Sequence, residues 1–331
     1  MSEREREILK AVRARAIGAR GAMRVGIGDD AAVLAVRTGE EIVVTTDFSL
    51  EDVHFRRAWH EPEAVGHKCL ARGLSDVAAM GARPIAAFVS LAVPRSFTKA
   101  QRGKRRFAEK SWVDRFYDGL LALAAAWGVP LAGGDLAQSP RDHAMADIIV
   151  LGTVARGRAL LRSGAHAGDL LYVTGSLGGA SAELRALTAS PRRFRGLAQA
   201  DPQHPHFFPQ PRIAVGRALA RRGVATACID ISDGLSVDLL HLCEESGLRA
   251  EVDAGLLPRG AEATVEDALH GGDDYELLFT ASPHTRVPSR IAGVAVQRIG
   301  RLLRISAGNP VMTLIGHGRS QPLKPGGWQH F

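Results

Sequence analysis

The chain has 331 residues, 46% of them hydrophobic and 23% charged, and at about 150 residues per domain this length predicts a globular protein of two domains. No apolar run is long enough for a membrane-spanning helix, and the charged start Met1–Glu7 is unlike a secretory leader. The net charge of +7 suits a nucleic-acid-binding protein only if the basic residues form a binding surface.

The number and spacing of the cysteines exclude two further kinds of site. Cys69, Cys228 and Cys243 are odd in number and form no C-x-x-C pair, so the sequence predicts neither a disulfide framework nor a zinc site. A reducing cytoplasm is therefore the expected setting.

Hydrophobic periodicity predicts alternating helices and strands in the first half of the chain. In chain order these are a helix over 3–19, a strand over 41–46, helix 62–80, strand 85–93, helix 112–127, and strands 129–132 and 148–154. A new strand–turn–helix unit opens at Gly168, so we predict a domain boundary near residue 155, giving domains 1–155 and 156–331.

The second half continues the alternation. The predicted elements are helix 212–222, strand 226–231 and helix 235–246, while the proline-rich segment 191–211 is predicted as a long surface loop. Alternating elements in both halves favour an α/β or α+β architecture.

The most informative pattern is an aspartate that follows a small residue, several times at the end of an apolar, strand-like run. It comprises nine aspartates in six motifs: Asp29, Asp30, Asp47, Asp76, Asp135, Asp230, Asp233, Asp273 and Asp274. Small residues let a backbone approach a ligand, and strand ends are where α/β proteins bind ligands. Carboxylates brought together repel unless a cation lies among them, and Mg²⁺ with phosphate ligands suits such oxygens.

Each motif taken alone has a structural interpretation, because aspartate also favours turns and helix N-caps. Six such motifs, however, are hard to explain by turn chemistry alone. The segment Gly26–Ala31 fits a dinucleotide fingerprint in letters only, since two carboxylates occupy the phosphate side. No P-loop motif and no Ser-His-Asp arrangement is present.

Five motifs together resemble the thiamine-monophosphate kinase family of the aminoimidazole-ribonucleotide synthetase superfamily. They are Val25–Leu34, Thr45–Asp47, Gly133–Asp135, Ile229–Leu235 and Gly271–Leu277. The resemblance extends from about Gly26 to the closing Gly327–Phe331, nearly the whole chain. Gly-Asp-Asp and Gly-Gly-Asp are shared by the superfamily, whereas Ser-Asp-Gly-Leu-Ser, Asp-Tyr-Glu-Leu and the terminal aromatic-x-His-Phe are more specific.

The resemblance implies ATP-dependent phosphorylation of thiamine monophosphate to thiamine diphosphate, by direct in-line transfer with several Mg²⁺ ions and no covalent nucleophile. The implied metal ligands are Asp30, Thr45, Thr46, Asp47, Asp76, Asp135, Asp230 and Asp233. The implied ATP contacts are Gly134, Asp135, Arg162 and Ser232, with Tyr117 as a further candidate, and the implied substrate contacts are His54, Asp273 and Trp328.

The resemblance also implies a fold and an assembly. Each chain would have an N-terminal mixed sheet with helices, which forms a sheet or barrel across a homodimer, and a C-terminal α/β domain that completes the active site. This sequence departs from the family at three places. Asp273 stands where the family commonly has Glu, Leu136-Ala137 follows the Gly-Gly-Asp, and the basic run Arg102–Arg106 is inserted before the helix that contains Tyr117.

Two alternatives stay open from the sequence. One is another synthetase of the same superfamily, of the selenophosphate, aminoimidazole or hydrogenase-maturation type. The other is a basic nucleic-acid-binding protein. No aromatic–basic interleaving accompanies the charge, and eight basic residues are concentrated in segment 95–115, so we expect neither nucleic acid nor membrane as a partner.

Overall fold

The computed structural model describes residues 3–16, 21–27, 31–99, 110–316 and 318–328. Contacts divide the chain into two compact units, each discontinuous in sequence. Unit 1 comprises Met1–Leu74, Pro84–Thr153 and Ser190–Pro202, and unit 2 comprises Ser75–Arg83, Val154–Ala189 and Gln203–Phe331. The predicted domain boundary near residue 155 stays a prediction, because these units are not single segments.

Unit 1 is built around a four-stranded sheet. The elements of this part of the chain are α1 (Glu3–Arg15), β1 (Met23–Val25), β2 (Val33–Leu34), β3 (Glu40–Leu50), α2 (Pro62–Ala79), β4 (Arg83–Val93), α3 (Trp112–Trp127), β5 (Leu131–Gln138) and β6 (Met145–Ala155). The sheet order is β3-β6-β4-β5, with β4 and β5 parallel, while β1 and β2 form an antiparallel pair. The last turn of α2, from Ser75, belongs to unit 2.

Helices α2 and α3 begin and end close to their predicted bounds, because local signals define them. Ser111 and Asp114 form a capping box at the start of α3, and Gly128 ends the helix in the left-handed conformation with φ 64°. The last predicted residues of the first helix, 17–19, lie outside the described residues.

Two strands are longer than the sequence predicts. Strand β3 continues through Asp47 to Leu50, and β5 includes the Gly-Gly-Asp motif instead of ending before it. The reason is pairing: β4 supplies a complete partner for the small residues, with Val89 opposite Gly134 and Ser90 opposite Asp135. Several predicted strand-end aspartates are thus inside strands.

Unit 2 contains a larger mixed sheet. Its elements are β7 (Leu170–Thr174), α4 (Gly179–Ala189), α5 (Ile213–Arg222), β8 (Ala227–Ile231), α6 (Leu235–Ser246), β9 (Leu248–Asp253), α7 (Val265–His270), β10 (Glu276–Ala281), β11 (Arg290–Ile291), β12 (Val294–Arg304), β13 (Met312–Gly316) and β14 (Arg319–Pro322). The order is β14-β13-β9-β12-β7-β10-β8, with β11 beside β12. Strands β9 and β13 are parallel, whereas β7, β10 and β12 pair antiparallel.

The prediction of a surface loop over 191–211 is wrong in part. Pro191–Phe194 forms a short 3-10 helix, and His206, Phe207 and Phe208 are buried. The rings of His206 and Phe207 pack edge to face, with 5.4 Å between their centroids, so aromatic packing anchors this segment. Together the two units confirm the predicted two-domain α/β architecture. No helix in the described ranges is long and apolar enough to cross a bilayer.

One face of the edge strand β3 is apolar and uncovered. Ile42, Val44 and Phe48 lie two or four residues apart, so they share a face, and they are 54%, 61% and 58% exposed. An edge strand with such a face is a surface on which another sheet can pack.

Helices α2 and α3 meet at two glycines. A Cβ on Gly66 would lie 1.9 Å from the carbonyl oxygen of Phe116, and a Cβ on Gly119 would lie 1.8 Å from that of Glu63. Both obstacles are backbone atoms, which cannot rotate away. The crossing therefore requires glycine at both positions.

We predict that Gly66→Ala and Gly119→Ala each lower the free energy of unfolding by about 1–3 kcal/mol or more, because the helices must separate. Urea unfolding followed by circular dichroism measures this change. The control is Gly179→Ala in α4, where the added Cβ meets its nearest atom at 3.4 Å, and it should change stability by less than about 1 kcal/mol. Wild-type stability in both α2–α3 variants would contradict the packing.

Candidate active site

In unit 1, the carboxylate of Asp47 is held by an arginine. Arg72 of α2 donates from Nη2 to Asp47 Oδ1 at 2.6 Å and from Nε to Oδ2 at 3.3 Å. The side chains are 12% and 25% exposed, so solvent screens the pair only in part. Asp47 thus lies beside a fixed positive charge that the motifs did not indicate.

Neighbouring residues of β3 point to opposite faces of the sheet. Side chains alternate along a strand, so Thr45 and Asp47 share one face and Thr46 lies on the other. The hydroxyl of Thr46 donates to Oδ1 of Asp147 in β6 at 2.8 Å. The three predicted metal ligands of this motif therefore divide between two faces, and Asp147 is a further carboxylate that sequence reasoning missed.

Three predicted ATP contacts line a single cavity of about 490 Å³ in unit 1. Tyr117, Gly134 and Asp135 lie in its wall together with residues of α1 and with Gly26–Ile27. Gly134 has φ 148°, and a Cβ there would meet the carbonyl oxygen of Val89 at 2.0 Å. Glycine is thus required for this wall.

Two side chains of this cavity differ in their access to solvent. Burial raises the pKa of the Tyr117 phenol well above its usual value, with Cys69 and Asp135 adding to the effect, so Tyr117 stays a hydrogen-bond donor at neutral pH. Asp135 is exposed, and its Oδ1 accepts a hydrogen bond from the backbone N–H of Leu136 at 2.9 Å. A buried donor and an exposed carboxylate thus lie in one wall.

His54 lies in the turn that follows β3. The backbone N–H of Leu50 donates to its Nδ1 at 3.0 Å. Because Nδ1 accepts, the proton of the neutral ring resides on Nε2, which makes Nε2 a donor.

In unit 2, the carboxylate of Asp230 accepts a hydrogen bond from the hydroxyl of Ser75 at 2.7 Å, and both residues are buried. Asp76 follows Ser75 on α2 and is half-buried. The structure thus brings the Ser-Asp motif of α2 to the end of β8, where two predicted metal ligands lie.

A single carboxylate oxygen organises the Ser-Asp-Gly loop after β8. Oδ2 of Asp238 accepts hydrogen bonds from the N–H groups of Ser232, Asp233 and Gly234 at 3.1, 3.2 and 3.1 Å. Burial raises the pKa of Asp238, and the charges of Asp230 and Asp233 raise it further, against these N–H donors. Sequence reasoning missed Asp238, although its position in the first turn of α6 is typical of a capping acid.

Asp273 accepts a hydrogen bond from one aromatic neighbour and lies close to a second. The hydroxyl of Tyr275 donates to its Oδ1 at 2.9 Å, and Nδ1 of the buried His206 lies 3.7 Å from its Oδ2. Its backbone has φ 68°, a conformation that few residues other than glycine adopt. This contact set explains how a side chain shorter than glutamate is kept in place.

Trp328 lies next to the Ser-Asp-Gly loop. Its backbone N–H donates to the carbonyl oxygen of Asp233 at 3.0 Å, and its side chain is 49% exposed. The structure therefore brings the predicted substrate contact Trp328 to the predicted metal ligand Asp233.

The predicted ATP contact Arg162 is exposed as well. Its carbonyl oxygen accepts a hydrogen bond from the hydroxyl of Ser246 at 2.6 Å.

Two other acidic residues of the Gly-Gly-Asp-Asp-Tyr-Glu motif are structural. Asp274 accepts a hydrogen bond from the N–H of Gly178 at 2.7 Å, and burial raises its pKa well above the usual value. Glu276 binds Arg212 at 2.5 and 2.7 Å and accepts a hydrogen bond from Thr174 at 2.6 Å. The side chain of Asp273 is 29% exposed, against 4% for Glu276.

The candidate ligands fit Mg²⁺ in their chemistry, since all are carboxylate or hydroxyl oxygens. Among the described residues, no three His, Cys, Asp or Glu side chains converge as a ready-made metal cage. Mg²⁺ needs no such cage, because it is commonly held by one or two carboxylates together with substrate phosphates. When bound, it would neutralise the charge between phosphate groups.

The candidate residues belong to different units. Thr45, Thr46, Asp47, His54, Tyr117, Gly134 and Asp135 lie in unit 1, and Asp76, Arg162, Asp230, Ser232, Asp233, Asp273 and Trp328 lie in unit 2. Asp30 falls outside the described residues, as does the basic run Arg102–Arg106. The individual roles of all of these residues stay predictions.

Comparison with known proteins gives the family. The chain matches the AIR synthase related protein N-terminal domain over residues 28–154 and the C-terminal domain over 166–302. It is 34% identical to the thiamine-monophosphate kinase of Salmonella typhimurium over 324 residues, 93% of this chain and 92% of the relative.

Solved structures agree. The thiamine-monophosphate kinase from Stenotrophomonas maltophilia superposes with a TM-score of 0.75 at 33% identity, covering 93% of this chain and 95% of that one. AaThiL complexed with AMPPCP and TMP gives a TM-score of 0.72 at 30% identity, covering 92% of each chain. The chain therefore belongs to the AIR synthase related proteins and, among them, to the thiamine-monophosphate kinase family.

Proposed function

We propose that this protein catalyses the ATP-dependent phosphorylation of thiamine monophosphate to thiamine diphosphate. The observation that carries the proposal is the cavity whose wall contains Tyr117, Gly134 and Asp135. A relative that covers 92% of the chain is complexed with AMPPCP and TMP, which supports both a nucleotide and a thiamine phosphate as ligands. Family membership favours this reaction over the other synthetases of the superfamily.

The reaction transfers the terminal phosphoryl group of ATP directly to a phosphate oxygen of thiamine monophosphate and releases ADP. Such a transfer requires positioning and neutralisation of charge, and little covalent chemistry from the protein. Gly134, Asp135, Arg162 and Ser232, with Tyr117, contact ATP. Arg162 is exposed, so its guanidinium is available to a phosphate group.

The metal ligands in this proposal are Asp30, Thr45, Thr46, Asp47, Asp76, Asp135, Asp230 and Asp233. Two observations support this assignment: all of these side chains offer oxygen atoms, which Mg²⁺ prefers, and they come from several separate motifs. Several Mg²⁺ ions held by these residues match the charge of two phosphorylated substrates, which would otherwise repel each other and the carboxylates.

The thiamine phosphate contacts are His54, Asp273 and Trp328. Trp328 has an exposed aromatic ring, which suits the positively charged thiazolium ring of the substrate. His54 contributes an Nε2–H donor, because its Nδ1 already accepts the N–H of Leu50. Asp273 offers a carboxylate that Tyr275 keeps in place.

We further infer that the protein is a homodimer of a reducing cytoplasm. The apolar face of β3 formed by Ile42, Val44 and Phe48 is suited to a second copy of the same face. The three cysteines are free and buried, which agrees with a reducing setting.

Asp47→Asn should lower the rate of thiamine diphosphate formation by about 10²–10³-fold, the effect of removing one charged contact from a polar transition state. The measurement is chromatographic separation of thiamine diphosphate after incubation with ATP, Mg²⁺ and thiamine monophosphate. Asp142→Asn, at a carboxylate 76% exposed, is the matched control and should keep wild-type turnover. A wild-type protein that forms no thiamine diphosphate would disprove the proposed function.

Val44→Glu should convert the dimer to a monomer, because it places a charge in the apolar face of β3. Light scattering after size-exclusion chromatography gives the mass directly. Ile305→Glu introduces the same charge at a residue 63% exposed outside that face, and it should leave the dimer intact. The dimer proposal fails if the wild type is monomeric or if Val44→Glu remains a dimer.

A further inference from the structure

Arg72 makes a contact with Asp47 that the proposed catalytic roles do not use. Its guanidinium approaches the carboxylate side-on through two nitrogens, with the shorter contact at 2.6 Å. The pair is distant in sequence, 25 residues apart, so it forms only when α2 packs against the sheet. Two donors fix the orientation of a carboxylate as well as its charge.

The pair is partly buried, and two of its neighbours are shielded from water. Cys69, one turn earlier on α2, is fully buried, and burial raises the pKa of its thiol to about 12, so it brings no charge. Ser49, two residues beyond Asp47 on the same face of β3, is buried as well. Arg72 thus places a positive charge directly against Asp47 in this corner of unit 1.

A divalent cation that binds Asp47 lies close to the Arg72 guanidinium. The same carboxylate oxygens serve both partners, and the two positive charges repel at short range in a partly buried corner. Removing the guanidinium would leave Asp47 without this partner when no metal is bound. It would also remove a charge that opposes the metal.

We propose that Arg72 is a resident counter-cation of Asp47, which holds the carboxylate in place without metal and competes with a divalent cation for it. This inference rests on the proposed role of Asp47 as a metal ligand. It follows that a divalent cation reaches Asp47 together with the nucleotide, whose phosphates offset the repulsion, more readily than it does alone. Arg72 is thus a positioning residue.

The test compares full-length wild type with Arg72→Gln and Arg72→Lys in two measurements. The first is the melting temperature in EDTA, which Arg72→Gln should lower because Asp47 loses its partner. The second is titration with Mn²⁺ in the absence of nucleotide, followed by electron paramagnetic resonance. Arg72→Gln should bind Mn²⁺ roughly tenfold more tightly at one site, the order of effect expected for removing a nearby like charge. Arg72→Lys keeps the charge and should stay close to wild type.

The matched control is Arg115→Gln, which removes an arginine of the same unit that binds Glu61 at 2.6 Å and Glu63 at 2.8 Å. It should lower the melting temperature without changing Mn²⁺ affinity, and this separates lost stability from lost competition. The double variant Arg72→Gln/Asp47→Asn should lose the gain in affinity.

Unchanged or weaker Mn²⁺ binding by Arg72→Gln would overturn the proposal, provided that ATP recruits Mn²⁺ to the wild type in an Asp47-dependent way. If the wild type binds no Mn²⁺ through Asp47 even with ATP, both this inference and the proposed metal role of Asp47 fail. If Arg72→Gln gains affinity while the wild type forms no thiamine diphosphate, only the proposed function fails.

Discussion

The negative charge of its aspartates is the constraint on which the candidate active site of this protein depends. A protein that brings many aspartates to its functional residues must offset their charges before any ligand arrives. The chain does so with its own donors: Arg72 holds Asp47, and Ser75 holds Asp230. Three backbone N–H groups converge on Asp238. Asp47, Asp230 and Asp238 are therefore each oriented by donors of the chain itself.

These donors divide the acidic residues into two kinds. Asp274 and Glu276 make structural contacts. Asp274 accepts a hydrogen bond from the N–H of Gly178, and Glu276 binds Arg212 and Thr174. Asp273, which directly precedes Asp274, accepts a hydrogen bond from Tyr275, and its side chain stays partly exposed. One short motif thus supplies two structural carboxylates and one that keeps exposed surface.

Local signals explain what the sequence predicted well. Helices α2, α3 and α6 match their predicted bounds because caps, periodicity and stop signals lie within a few residues of each end. The lengths of β3 and β5 were not predictable in this way, since Gly-Gly-Asp resembles a turn until a neighbouring strand pairs with it. The family could be recognised from the sequence, because the chain contains five of the family's motifs in order.

Long-range contacts explain what was missed. Arg72, Asp147 and Asp238 belong to no aspartate motif, and the first two meet their partners 25 and 101 residues away. Asp147 lies alone in an apolar strand, and a lone charge in such a strand is a usable signal. For Arg72 the helix periodicity alone could not identify the partner, since that depends on how α2 packs on the sheet.

The most direct measurement is a pair of crystal structures with Mn²⁺, one with a non-hydrolysable ATP analogue and one without, read by anomalous scattering. We expect a markedly stronger Mn²⁺ peak at Asp47 when the nucleotide is present, with the Arg72 guanidinium still bound to Asp47 when it is absent. A Mn²⁺ peak at Asp47 that is as strong without the nucleotide as with it, or no peak at Asp47 with it, would contradict the view that Arg72 competes with the metal for Asp47 until the nucleotide arrives.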